Sequence, residues 1–223
     1  MIDFNQRIRA ALLLTPIVLA STLSCAAQPD EPAVQADPST SSPEPEPAYL
    51  RISNRWISAY DQLMTADGTF VRAYSESDQA IISGGGRRGV YPGFADADRG
   101  VHGIDEYWES RNGYNTAFFG LGRISELEDG IIRATVCAWS GNGGKSGVFY
   151  FLDYRREGIS PPATQSGLAT RPSTNVFGEW YVVDTSNASG DPEAEADCLP
   201  LRPVDPVDEG QPPLSPFPGW PAD

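Results

Sequence analysis

Basic and metal-binding side chains are scarce in this chain of 223 residues, which has one histidine and three cysteines. Its only lysine is Lys145, and 16 Lys plus Arg stand against 30 Asp plus Glu, for a formal net charge of −14. So acidic a balance repels phosphate backbones, and no basic cluster with interleaved aromatics offsets it, which argues against nucleic acid as a partner. The lone histidine, His102, has no C-x-x-C pair or second histidine at ligand spacing, so no metal site and no cofactor is expected. Gly143-Gly144-Lys145-Ser146 has the ending of a phosphate loop, but the leading glycine would have to be Trp139 and the flanks read as strands. A hairpin turn is the better reading there. The apolar run at residues 10–20 falls well short of the roughly 20 residues that a membrane-spanning helix needs.

That run follows Arg7 and Arg9 and has the length of a secretory hydrophobic region. Ser21-Thr22-Leu23-Ser24 then leads to Cys25. This segment resembles the lipobox of bacterial lipoproteins. The resemblance implies a signal peptide over residues 1–24, a thioether-linked diacylglyceryl group on Cys25, and palmitate-type chains holding the protein to the extracytoplasmic face of the cell membrane. Each buried methylene contributes about 0.8 kcal/mol, so two or three long chains anchor stably. With Cys25 assigned to lipid, Cys137 and Cys198 remain as one possible disulfide in an oxidising compartment, or as two buried thiols. A bridge closing a loop of about 60 residues is worth about 4 kcal/mol in the chain-entropy model.

Residues 25–47 are nearly all Pro, Glu, Asp, Ser, Ala and Gln, too poor in apolar area to offset ordering entropy, and read as an acidic disordered tether. Residues 200–223 repeat the theme and read as a second Pro-rich disordered tail. Between them, Ile52, Trp56, Tyr60 and Leu63 recur every three or four positions and predict an amphipathic helix over residues 48–66, with Asp61 on its polar side. Phe70, Val71 and Tyr74 predict a second helix over 69–82, stopped by Gly84-Gly85-Gly86. Ile104, Tyr107 and Trp108 predict a third, short one. The period then changes. Ile124 and Leu127, the Asp129-Gly130 turn, and Ile132, Ala134, Val136 and Ala138 predict a β-hairpin. Strands over 148–154 and 175–185 complete an antiparallel sheet, and the alternation puts Cys137 on the face opposite Val136 and Ala138.

Helices followed by a long hairpin and a curved meander, with Ala134-Thr135-Val136-Cys137-Ala138, Gly178-Glu179-Trp180 and Cys198 as the matching pieces, resemble actinobacterial cell-envelope lipoproteins of uncharacterised function with an NTF2-like domain. The resemblance implies an α+β domain over residues 48–199, its N-terminal helices packed on a curved antiparallel sheet as an NTF2-like cone. It also implies a cavity between helices and sheet. The functional expectation is a lipid-anchored extracytoplasmic binding or scaffolding protein. Its partners would be the membrane, through the N-terminal lipid, an apolar small molecule or lipid inside dry aromatic walls, and a neighbouring envelope protein. The alternative is an NTF2-like enzyme of isomerase or hydrolase type with a buried acid or base. Tyr60, His102 and Asp105 are the cavity candidates for that chemistry. Asp96, Asp98 and Asp105 could also hold calcium, but the position that should supply a third ligand is Gly100, so solvated loop charges are the better reading.

Overall fold

Alternation decides the centre of the molecule. β2 (Thr116–Glu126) and β3 (Ile131–Ser140) pair antiparallel, Phe119 opposite Ala138 and Leu121 opposite Val136, with a bulge between Leu121 and Ile124. A single turn of 3-10 helix at Glu128–Gly130 closes the hairpin. Asp129 and Gly130 both take positive φ there, 61° and 70°, which is what an Asp-Gly pair supplies at least cost. β4 (Gly147–Arg155) adds to β3 and β5 (Tyr181–Asn187) adds to β4, both antiparallel. The computed structural model describes residues 52–101, 116–140, 147–204 and 213–222, apart from the side chains of residues 84–87 and of Ser140. All of them lie in one unit running from Glu44 to Asp223. The predicted third helix, the 141–144 turn, Lys145 and everything before residue 52 fall outside the described residues.

Two expectations are corrected. The sheet is mixed, because β1 (Ser53–Trp56) joins its far side parallel to β2, giving the order β1-β2-β3-β4-β5 in an open sheet. The chain is thus an α+β protein whose first described element is a strand. The single helix predicted over 48–66 is replaced by β1 and the one-turn α1 (Tyr60–Leu63). Its apolar spacing was compatible with either shape, and pairing decided the outcome, as tertiary context routinely does. Trp56 and Leu63 are buried, but Tyr60 is 45% exposed, so the four residues share no face. The Ser58 hydroxyl fixes the bend after β1 by donating to the Leu121 carbonyl at 3.0 Å while accepting from the Leu121 amide.

The second predicted helix is the principal one, α2 (Ala66–Ala80). Thr65 caps it by accepting from the Gly68 amide at 3.0 Å. Its residues from Gly68 to Ser77 are all buried, polar ones included, so it passes through the core. The glycine run does not stop the chain from winding, since a π turn (Ile81–Gly85) and two short helices follow, α3 (Gly86–Gly89) and α4 (Phe94–Asp98). The core on this face is aromatic, with the Phe70 ring 4.9 Å from Tyr154, 5.9 Å from Phe177 and 6.0 Å from Trp180. On the opposite face α5 (Pro192–Cys198), capped by Asp191, covers Phe118, Trp139 and Phe149. Among the described residues no helix is long and apolar enough to cross a membrane.

The C-terminal segment departs from the expected disordered tail over the part that is described. Phe217 accepts from the Trp56 amide at 2.6 Å and donates to the Asn54 carbonyl at 3.1 Å, so it lengthens the sheet beyond the free edge of β1. Trp220 then exchanges both backbone hydrogen bonds with Ala169, in the segment between β4 and β5, at 2.8 and 3.1 Å. Its side chain is 1% exposed. Proline density suggested disorder, but one tryptophan supplies the apolar area that proline lacks.

Candidate functional site

Two clusters of polar side chains are buried against α2. The first is centred on Glu76, which is 2% exposed. Its Oε1 accepts from Trp56 Nε1 at 2.8 Å, and its Oε2 accepts from the Tyr91 hydroxyl at 2.7 Å and from Trp220 Nε1 at 2.8 Å. Arg72, one turn earlier and fully buried, brings Nε to 3.9 Å from Glu76 Oε1. Its guanidinium donates to the carbonyls of Gln165 at 2.8 Å, Pro218 at 2.8 Å and Gly219 at 3.1 Å, and lies over the Trp220 ring. Burial pushes the Arg72 pKa down, and the Glu76 charge opposes that. Burial and the Glu76 carboxylate hold the Tyr91 phenol well above its ordinary range. The adjoining void, lined by Asn54, Glu76 and Tyr91 among others, is about 10 Å³, room for no more than a single water. With both Glu76 oxygens engaged by donors from the chain and only a water-sized void beside them, this cluster clasps the C-terminal segment and has no room for a substrate.

The second cluster opens to solvent. Tyr74 and Asp78 lie one turn apart on α2 and so share a face. That face looks toward β4 and β5, where Tyr150 pairs directly with Asn187 and Leu152 with Thr185. Tyr74, Asp78, Val148, Tyr150, Thr185, Ser186 and Asn187 enclose an opening of about 230 Å³. The Tyr74 hydroxyl donates to Asp98 Oδ1 at 2.6 Å, and the fully buried Asp98 also accepts from the Gly100 amide at 3.1 Å. Desolvation first, then that bond to Asp98, pushes the Tyr74 phenol far above its ordinary pKa. Desolvation and the charge of Asp78 do the same to Tyr150. Both phenols therefore remain protonated donors at neutral pH. Ser75 Oγ sits by the Tyr150 hydroxyl without closing a hydrogen bond of normal geometry.

Cys137 and Cys198 are joined, their Cα atoms 5.6 Å apart, and the bridge ties α5 to β3. Cys137 does point away from Val136 and Ala138, and both sulfurs are buried in the smaller core. Tyr60 stands outside the opening, its ring 6.1 Å from Phe217 on the β1 side. His102, Asp105 and Cys25 lie outside the described residues. Asp96 is exposed while Asp98 is engaged by Tyr74, and no cluster of three or more metal-ligating side chains occurs among the described residues. Sequence reasoning placed Tyr74 in the core and overlooked Asp78, Tyr150 and the 185–187 run. The usable signal was the i, i+4 pairing of a tyrosine with a carboxylate on α2.

Comparison with known protein families, with characterised proteins and with solved structures finds no match to this chain.

Proposed function

We propose that this chain is a lipid-anchored extracytoplasmic binding or scaffolding protein of a bacterial cell envelope, with acyl chains on Cys25 and an NTF2-like domain held off the membrane by the acidic tether. The observation that carries the reading is the buried Cys137–Cys198 bridge, which fits an oxidising compartment and leaves Cys25 as the one cysteine for thioether formation. The secretory hydrophobic region that precedes Cys25 supports the same route. The opening between α2 and β4 and β5 supplies a place for a ligand, where a cone-shaped domain would have its mouth. The core rings of Phe70, Tyr154, Phe177 and Trp180 pack on one another, so the mixed apolar and polar lining of the opening is the guide to what enters.

Expression of the full chain in a bacterial host, followed by detergent phase partition and intact-mass measurement, tests the anchor. The expected product begins at Cys25, carries diacylglyceryl mass and enters the detergent phase, whereas Cys25→Ser stays aqueous. An unmodified soluble product beginning at another residue would overturn the reading.

A further inference from the structure

The opening between α2 and β4 and β5 has a wall chemistry that selects among ligand classes. Resting on the binding role given above, we infer that it takes a neutral, hydroxyl-rich small molecule of about the size of one sugar ring. Its volume, about 230 Å³, lies below the roughly 300 to 1,000 Å³ of sites for drug-sized ligands. Of its seven described lining residues, the five besides Val148 and Tyr74 all carry polar groups: Asp78, Tyr150, Thr185, Ser186 and Asn187. More of the exposed lining is apolar than polar, so an acyl chain would be met by part of the wall, but it would strip water from the polar groups and return no hydrogen bonds. Among the described lining residues none is Arg or Lys, and the Asp78 carboxylate is present, so a phosphate or carboxylate ligand meets repulsion. Asp78 is itself engaged within the chain, so a ligand need not bring positive charge to satisfy it.

What remains suits a polyol, whose hydroxyls each donate and accept. Tyr150 lines the opening, and its phenol stays protonated. Asn187 Oδ1 already accepts from the Ser189 amide at 2.9 Å, which fixes the side-chain amide and leaves Nδ2 as the available donor. Thr185 shares the face of Asn187, two residues away on the same strand, and Ser186 lies at the rim between them. Among the described residues β5 is the last strand of the sheet, and no described strand takes up the backbone groups of its outer edge. Val148 and the Tyr150 ring give the apolar patch that the C–H face of a pyranose covers.

The test uses the full chain in a detergent without a sugar headgroup, with ligand-observed saturation-transfer NMR. The probes are a panel of methyl glycosides with inositol, glucose 6-phosphate as the same ring made anionic, and octanol as an apolar ligand. A ligand of about a dozen heavy atoms held at ordinary efficiency has a Kd of about a millimolar. Saturable binding of at least one neutral polyol in that range, weakened about tenfold by Tyr150→Phe and by Asn187→Ala and unchanged by Tyr60→Phe, is the expected result. Glucose 6-phosphate should bind at least tenfold more weakly than the corresponding neutral ring. If octanol or the phosphate ester binds instead and the same two substitutions weaken it, the ligand class is wrong while the binding role stands. Silence from every probe overturns both the ligand class and the use of this opening, and leaves the lipid anchor to be judged by its own mass measurement.

Discussion

Replacing Glu76 by Gln changes one atom in shape and removes one charge at the point where β1, α2, the loop carrying Tyr91 and the C-terminal segment meet. Three donors converge on the carboxylate: Trp56 Nε1 on one oxygen, and the Tyr91 hydroxyl and Trp220 Nε1 on the other. A glutamine amide must turn its NH2 toward one of these sets. The less damaging choice faces it to Trp56, which loses one charge-assisted bond, worth about 1.5 to 3 kcal/mol, and sets two donors against each other. Arg72, 0% exposed, then keeps its three carbonyl partners but loses the Glu76 counter-charge 3.9 Å away. Breaking a buried ion pair from one side costs about 3 to 5 kcal/mol, and the two losses overlap, so about 4 kcal/mol is the expected total. With a urea m-value of about 2 kcal/mol/M the unfolding midpoint falls by about 2 M. The assay is urea unfolding followed by tryptophan fluorescence, to which Trp56 and Trp220 contribute among five tryptophans. Glu193→Gln is the control, since Glu193 meets Arg123 at the surface with its side chain 79% exposed and the change should leave the unfolding midpoint where it is in the parent. A Glu76→Gln midpoint within about 0.5 M of the parent would refute the claim that this carboxylate holds the segment in place.

Other perturbations read separate parts of the same structure. The Cys137→Ser and Cys198→Ser double substitution should lower stability by about 4 kcal/mol, measured by urea unfolding, because the bridge closes a loop with a sequence separation of 61. Gly219→Ala should destabilise the domain and raise Trp220 solvent exposure in fluorescence quenching, because a Cβ there meets the backbone carbonyls of Gly167 and Ala169. Tyr74, Tyr91, Tyr150 and Tyr154 all have folded pKa values raised above the ordinary value of about 10. Their neutral forms are favoured by folding, so the stability they contribute is complete below about pH 10 and declines as pH rises above it. Absorbance at 295 nm should therefore show these phenols ionising only together with alkaline unfolding, and early reversible titration of all nine tyrosines would contradict their burial.

Where one period of side-chain alternation was enough to choose a structure, the sequence was readable. Ile132, Ala134, Val136 and Ala138 around an Asp-Gly turn specify β2 and β3, and the same alternation put Cys137 on the face where α5 delivers Cys198. Phe70, Val71 and Tyr74 located α2, though not its true extent, because its buried polar residues gave no amphipathic contrast. The region before it misled for a definite reason. Ile52, Trp56, Tyr60 and Leu63 fit a helical period, yet a strand of four residues followed by a turn can place the same residues, and the choice was made by a parallel partner more than 60 positions away. No local pattern encodes that distance.

The C-terminal segment shows how long-range chemistry can reverse a compositional reading. Leu214-Ser215-Pro216-Phe217-Pro218-Gly219-Trp220 has the proline content of a disordered tail, and on its own it would have no reason to fold. Its order depends on acceptors and donors prepared elsewhere: the edge of β1 for Phe217, Ala169 for the Trp220 backbone, and the Arg72 and Glu76 pair on α2 for its carbonyls and indole. Arg72 and Glu76 look in the sequence like an ordinary i, i+4 surface pair, and their burial becomes intelligible only once the segment that covers them is in place. The dependence is mutual, since an uncovered Arg72 and Glu76 would sit hydrated at the mouth of a core missing its largest plug. Folding of the α2 surface and ordering of the last described residues are therefore one cooperative event, and a chain ending at Val204 should lose far more than ten residues' worth of structure, a loss that far-UV and near-UV circular dichroism would register together.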